Sequence, residues 1–305
     1  MLEQLMNMIF SASFGYAIIR ITSPILSVVA EKAGVTNIGL EGTMMFSSLF
    51  GVLFAYWTNN WFVGVLAAMI VGILIGLIIG VFALKLKTNI ILAGTAINIA
   101  GAGGTIFFLY LFTGLRGNTA SLTTPQMLTP KINIPIIENI PVIGDIFSGH
   151  SILTYLSFIL VIVVWVLLYK TALGLRIRAV GENSNAADSV GVSVLRTQYI
   201  AIMISGALAG IGGAYMSMYY SQSWNTGIIA GRGFIALAAQ AMGQGEPVGA
   251  MLSSILFGFA SALGNKMEGL PGFSSYLVAA IPYAVTIIGL VIYAVTQLKK
   301  AKKKS

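Results

Sequence analysis

Apolar stretches of roughly 20 residues, the length needed to cross a hydrocarbon core as a helix, recur along the chain between short polar intervals. "FVGVLAAMIVGILIGLIIGVFAL" (62–84) and "YLVAAIPYAVTIIGLVIYAVTQL" (276–298) contain no charge at all. Backbone polar groups inside a bilayer must be satisfied internally, so a spanning segment is a helix or part of a closed barrel. Barrel strands alternate apolar and polar residues over about ten positions, and that alternation is missing. The pattern therefore predicts an all-α polytopic membrane protein with about 8–10 transmembrane or half-inserted helices. Spans are expected near 6–29, 38–57, 62–84, 89–112, 151–169, 199–220, 228–242, 248–264 and 276–297. Nine crossings leave the N-terminus outside. Pro24 disfavours helical geometry at Ser23, and splitting 6–29 into a crossing and a half-inserted helix returns the N-terminus to the cytoplasm.

Charge sets the orientation. Only 9% of the 305 residues are charged and 57% are hydrophobic, against about 25% charged in soluble domains. With the C-terminus inside, Lys85, Lys87, Lys170, Arg176, Arg178, Arg196 and the tail lysines fall in the cytoplasm, as the positive-inside rule requires. Arg116, Lys131, Arg232 and Lys266 fall outside. One membrane domain, 1–305, is expected. It carries an extracytoplasmic loop (113–150) that caps the bundle or merely connects, a cytoplasmic segment (170–198) and a basic cytoplasmic tail (299–305). The net charge of +8 owes much to five lysines in the last seven residues; no basic, aromatic-interleaved surface accompanies them, so no nucleic-acid partner is expected. The absence of cysteine excludes disulfides, thiolate metal sites and a lipid-linked N-terminal cysteine. "MLEQLMNMIF" lacks a basic n-region and a cleavage site, so no removable signal peptide is expected.

Several polar residues lie inside apolar spans. Glu41, with Asn37 one turn earlier on the same face, is an intramembrane acid and hence a functional-site candidate. It either faces a polar substrate cavity or ties a broken helix together through backbone hydrogen bonds, and Arg20 is a conceivable partner. Thr95, Asn98 and Thr105 share a face of the fourth span and contact a passing solute or glue helices together. Gly72, Gly76 and Gly80, like Gly206 and Gly210, stand four apart, the spacing of closely packed helices. "TNIGLEGT" (36–43) and "TNIILAGT" (88–95) match in six positions, through an internal duplication or through shared Thr-Asn helix capping. Tyr56, Trp57, Tyr219, Tyr220 and Trp224 fit an interfacial aromatic belt better than a base-stacking site.

Enzymatic signals are lacking. No G-x-x-x-x-G-K-[ST] phosphate loop occurs, no His or carboxylate cluster has metal spacing, and no Ser, His and Asp arrangement suggests a hydrolase. The lone His150 reads as a surface residue. The polar exception is "RIRAVGENSNAADSVGVSVLR" (176–196), where Asn185 is expected to cap a short helix at about 186–190 with Asp188 at its third position. Gly191 suits its C-terminal end, and Ala186, Ala187 and Ser189 leave its surface low. Arg176, Arg178 and Arg196 pair with partner acids or lipid phosphates, or simply mark topology.

"GLRIRAVGENSNAADSVGVSV" resembles the cytoplasmic coupling segment of permeases in the branched-chain amino acid, ribose and nucleoside group of ABC importers. "NIGLEGTMM", "ISGALAGIGGAYMS" (204–217), "AGRGFIALAA" (230–239) and "IPYAVTIIGL" (281–290) extend the resemblance over nearly the whole chain, and "NIGLEG" is most similar to the nucleoside permeases. Two departures stand out: Ser184-Asn185 where the family tends to have Pro-Arg, and "AMGQGEPVGAM" (241–251) in place of an aromatic-rich Gly-Arg-Trp-x-Pro turn. The resemblance implies a multi-pass permease subunit in a bacterial cell membrane that forms a nucleoside path. Its implied partners are a second related permease, ABC ATPase subunits that bind the ATP and Mg, and an extracytoplasmic substrate-binding lipoprotein. It implies ATPase coupling through Gly181, Glu182, Asn183, Asn185, Ala186, Ala187, Asp188 and Gly191. Path candidates are Asn37, Glu41, Thr95 and Asn98. Alternatives are a permease for simple sugars or branched-chain amino acids and an ion-coupled secondary transporter, which would use intramembrane acids or broken helices. A passive channel would need a filter or charged ring, and none is legible.

Overall fold

A computed structural model describes residues 22–135 and 148–267, together with positions 284, 287, 289 and 291. The expectations for 6–21, for Arg20 and for most of 276–297 lie outside the described residues. The chain builds α1 (Thr22–Lys32), α2 (Leu40–Thr58), α3 (Trp61–Gly80), α4 (Ile90–Thr113), α5 (Ile152–Lys170), α6 (Ala172–Glu182), α7 (Ser184–Ser189), α8 (Val194–Tyr215), α9 (Arg232–Met242) and α10 (Pro247–Met267). Helices α3 and α8 each end in a π turn, Val81–Lys85 and Met216–Tyr220. Among the described residues, four helices are long and apolar enough to cross a membrane: Trp61–Lys85, Ile90–Thr113, Ile152–Lys170 and Val194–Tyr220. The fold is that of an all-α polytopic membrane protein.

Helix starts follow side-chain chemistry. Asn60, Asn89 and Ser151 cap α3, α4 and α5 by accepting the N–H of Phe62, Ile91 and Leu153, each satisfying an otherwise orphaned donor. The duplicated octapeptides diverge here. Asn89 caps α4, but Asn37 does not cap α2; its amide crosses to Ser205 on α8 at 3.1 Å. Shared capping therefore does not explain both copies.

Helix α8 is the centre of the bundle: 78% of its apolar window is buried, against 17% for α4. It crosses α3 through facing glycines. A Cβ on Gly72 would lie 2.0 Å from the Gly206 carbonyl oxygen, and one on Gly206 would lie 2.2 Å from that of Gly72. Gly210 meets the Ala68 carbonyl in the same way, so backbones touch where side chains would otherwise hold them apart. Apolar residues such as Ile70, Leu74, Ile99 and Phe107 remain exposed, as a hydrocarbon solvent allows.

One end of the bundle gathers Lys32, Lys170, Arg178 and Arg196, the end that the positive-inside rule assigns to the cytoplasm. At the opposite end the described part of the 113–150 loop folds back as a cap. Lys131 and Ile132 pair with Ser151 and His150 in a two-stranded antiparallel ribbon. Thr119 Oγ1 accepts the Trp224 N–H at 2.8 Å, and Thr119 N–H donates to the Trp224 carbonyl at 3.0 Å. Two sequence expectations fail here. His150 is buried, because ribbon pairing draws it inward. Trp224 is 1% exposed under the cap and is not a belt residue, whereas Tyr56 and Trp57 keep the exposure a belt requires.

Candidate functional site

The segment between α8 and α9 carries the main surprise. A full span was expected at 228–242, yet α9 has 11 residues, about 16 Å of helix or half of a 30 Å core. Residues 221–231 enter the bundle as irregular backbone, with left-handed dihedrals at Gln222, Gly227, Ala230 and Gly231. Hydropathy misreads this stretch because "IIAG" (228–231) is as apolar as a helix. Irregular backbone at membrane depth survives only where protein buries it or it lines a cavity.

Glu41 holds the start of the half-helix. Its Oε1 accepts the Gly231 N–H at 2.8 Å and its Oε2 accepts the Gly233 N–H at 2.7 Å. These are free donors of a helix N-terminus, and the negative charge suits the positive end of the helix dipole. Glu41 is 4% exposed. A Cβ on Gly233 would lie 2.6 Å from the Glu41 nitrogen and 2.8 Å from Oε2, so glycine is needed there. Arg232 does not sit on an outer surface; its backbone lies at the depth of Glu41. Its guanidinium donates to the Ile228 and Ile229 carbonyls, both at 3.0 Å, and stacks 5.1 Å from the Tyr220 ring centre. It thereby fixes the carbonyls of the irregular segment.

The depth of this contact follows from the helices around it. Asn37 meets Ser205, while Gly213 abuts the Met44 carbonyl, so Glu41 stands level with the middle of the 27-residue Val194–Tyr220 helix. Near it, Asn98 accepts the Gly42 N–H at 2.8 Å and donates to the Ile38 carbonyl at 3.0 Å, stapling the start of α2 to α4. Asn37 is fully buried and its Oδ1 has no partner. Thr95 turns to its own helix, donating to the Ile91 and Leu92 carbonyls, and Thr105 donates to that of Gly101. The structure thus sets Glu41 at the start of α9, Asn98 at the start of α2 and Asn37 against α8, and leaves Thr95 apart.

The 170–198 segment is a pair of helices at the basic end. Thr171 caps α6 by accepting the Gly174 N–H at 3.1 Å, and α6 then runs back along the bundle end. The cap of α7 is Asn183, not Asn185: Asn183 is extended and its Oδ1 accepts the Ala186 N–H at 3.0 Å. Asn185 already lies inside the helix, because α6 continues to Glu182 and leaves Asn183 as the only non-helical joint. Gly191, at φ +83°, takes the left-handed C-terminal position that favours glycine. Within α7 only Ala187 is buried; Ser184, Asn185, Ala186, Asp188 and Ser189 are exposed, as are Gly181, Glu182, Asn183 and Gly191. Val190 beside it is 79% exposed, an apolar side chain presented to water at the basic end. Arg178 is not a bare topology signal, since its Nε donates to the Leu168 carbonyl at 3.0 Å and its guanidinium lies 4.8 Å from the Tyr169 ring centre.

A polytopic bundle with a half-helix docked at mid-depth and a capped helix hung between two spans has the build of a transport protein. Residues 8–296 match the family described as the permease component of the branched-chain amino acid transport system, and the chain belongs to that family. It is 36% identical to the guanosine ABC transporter permease protein NupQ of Bacillus subtilis strain 168, over 94% of this chain and 92% of that protein. It is 33% identical to the nucleoside ABC transporter permease protein NupC of Lactococcus lactis subsp. cremoris strain MG1363, over 87% of this chain and 86% of that protein. A second protein of the same Lactococcus strain, the nucleoside ABC transporter permease protein NupB, is 32% identical over 38% of this chain and 33% of its own length. No solved structure matches the chain.

Proposed function

We propose that this chain is the membrane-spanning permease subunit of an ATP-driven importer of nucleosides in a bacterial cytoplasmic membrane. The substrate class is taken from the two relatives that align with nearly the whole chain. A second, related permease completes the path, as the pair NupB and NupC in one organism suggests. Separate ATPase subunits bind ATP and Mg2+, and an extracytoplasmic lipoprotein delivers the nucleoside.

The observation that carries the reading is α7, a capped helix of six residues whose surface faces outward at the basic end apart from Ala187. Its low polar face, with exposed Glu182 and Asp188 and the apolar Val190 alongside, suits a cleft that grips and releases. ATP-driven closure of the ATPase pair moves α7, and the membrane helices rock between inward and outward openings. A switch of this kind needs contacts that differ between the two states, because a ligand bound equally in both shifts nothing. Glu41 serves ion-coupled transport poorly, since amides occupy both its carboxylate oxygens. Co-reconstitution with the partner subunits and measurement of guanosine uptake with and without ATP tests the proposal. ATP-dependent uptake is expected; ion-driven uptake by this chain alone would overturn it.

A further inference from the structure

The turn "GQGEP" joins α9 to α10, and its single acid lies at the centre of a contact ring at the basic end. Glu246 Oε1 pairs with Lys32 Nζ of α1 at 2.7 Å, and Oε2 accepts the hydroxyl hydrogen of Tyr169 at the end of α5. The Tyr169 ring carries the Arg178 guanidinium of α6. The ring closes because α6 touches α1 directly: a Cβ on Gly181 would lie 2.1 Å from the Lys32 carbonyl oxygen. These groups line a polar cavity of about 390 Å3 that reaches Gly181 and Glu182 at the end of α6, just before α7.

The turn itself is stiff. Gln244 and Gly245 are both left-handed, at φ 59° and 65°. Gly243 and Gly249 lie against one another, so that a Cβ on Gly243 would stand 2.2 Å from the Ala250 nitrogen. Pro247 opens α10 at a position where its missing N–H is no loss. A pull on Glu246 is therefore passed to α9 rather than absorbed by the turn. At its other end, α9 is held by Glu41.

We propose that Glu246 is a positioning residue that couples the α6–α7 segment to the half-helix α9, so that displacement at the basic end reaches the mid-depth contact at Glu41 as a rigid movement. The inference rests on the proposed role of α7 in ATPase coupling. An ion pair with side chains 24% and 46% exposed adds little to folding.

The test uses the full chain with its partner permease, ATPases and binding protein in proteoliposomes. The chain has no cysteine, so Phe234→Cys, at an exposed position in the first turn of α9, reports the half-helix through maleimide labelling. In otherwise unaltered protein, ATP is expected to change the labelling rate. With Glu246→Gln that ATP-dependent change is expected to fall at least about fivefold, while ATP hydrolysis and ATPase binding stay within about twofold. Guanosine taken up per ATP falls with it. Tyr169→Phe removes only the hydroxyl and gives a smaller loss in the same direction, which keeps the test open if Glu246→Gln assembles poorly. An undiminished labelling response in either variant, or hydrolysis and response falling in parallel, would overturn the link. Failure of the nucleoside reading shows separately, as absent guanosine uptake with the labelling response intact.

Discussion

Glu41→Gln tests the docking of α9 most directly. The carboxylate accepts two N–H groups at 2.8 and 2.7 Å in a site 4% exposed, and bonds to a charged partner contribute about 1.5–3 kcal/mol each. Glutamine retains one acceptor oxygen but turns its own NH2 toward the second amide, so one bond is lost and two buried donors, the amide N–H and the NH2, face each other unmet. The expected cost is about 2–3 kcal/mol, which raises the opening equilibrium of the α9 start about 30- to 150-fold. Ile229, fully buried three residues before the helix, supplies the probe as Ile229→Cys in the cysteine-free chain. Labelling by a water-soluble maleimide reads the opened fraction, and its rate is expected to rise by that factor when Glu41→Gln is added. A rise below about threefold would place the contact at the roughly 0.6 kcal/mol of an average interhelical hydrogen bond, and the view that Glu41 anchors the half-helix would fail.

Other expectations follow from single contacts. Asn183→Ala removes the cap of α7 at a cost of about 1 kcal/mol, so ATPase binding in a pull-down titration weakens about fivefold. Gly206→Ala drives a methyl group into the Gly72 carbonyl and costs about 1–3 kcal/mol. It therefore lowers the melting temperature in detergent, whereas Gly103→Ala meets nothing within 4 Å and does not lower it. Burial raises the Glu246 carboxyl, but the bonds from Lys32 and Tyr169 outweigh it and hold the group below its ordinary range. A depressed carboxylate keeps its contribution above the unfolded pKa and loses it only as pH falls through the folded one. The ATP-dependent movement of α9 is then flat on acidifying the ATPase side from about pH 8 to 6, and a midpoint inside that window would assign the link to another group.

The sequence showed long uncharged spans with accuracy because length and polarity alone decide them. The expected 62–84, 89–112 and 151–169 became Trp61–Lys85, Ile90–Thr113 and Ile152–Lys170. It hid what apolarity cannot resolve. The irregular "IIAG" stretch and a true helix look alike to hydropathy, so a half-helix was read as a span. Helix α6 was missed because its 11 residues are too mixed in polarity for a span and sit beside a loop-like Gly-Glu-Asn. Glu41 was legible as a costly buried acid, but its partners lie 190 and 192 positions away and only the fold brings them to it. Gly-Arg-Gly ahead of an apolar run was the available hint, since two flexible, side-chain-free amides at a helix start are what a carboxylate needs.

The scarcity of charge gives these contacts their meaning. Among the described residues, Glu41 is the one buried acid and Lys32–Glu246 the one ion pair. They stand at opposite ends of the same 11-residue helix. A helix that only filled space between neighbours would need neither, because Ala236 and Ala239 already bury its apolar face. The two anchors differ in the way a transmitting element requires. The mid-depth one is buried, doubly bonded and out of water, so it is strong and slow to exchange; the one at the basic end is half-exposed, so its groups can follow the α6–α7 segment. A displacement entering at α7 is then carried through Glu246 to α9 while α9 keeps its hold on Glu41, and the mid-depth contact moves without being broken.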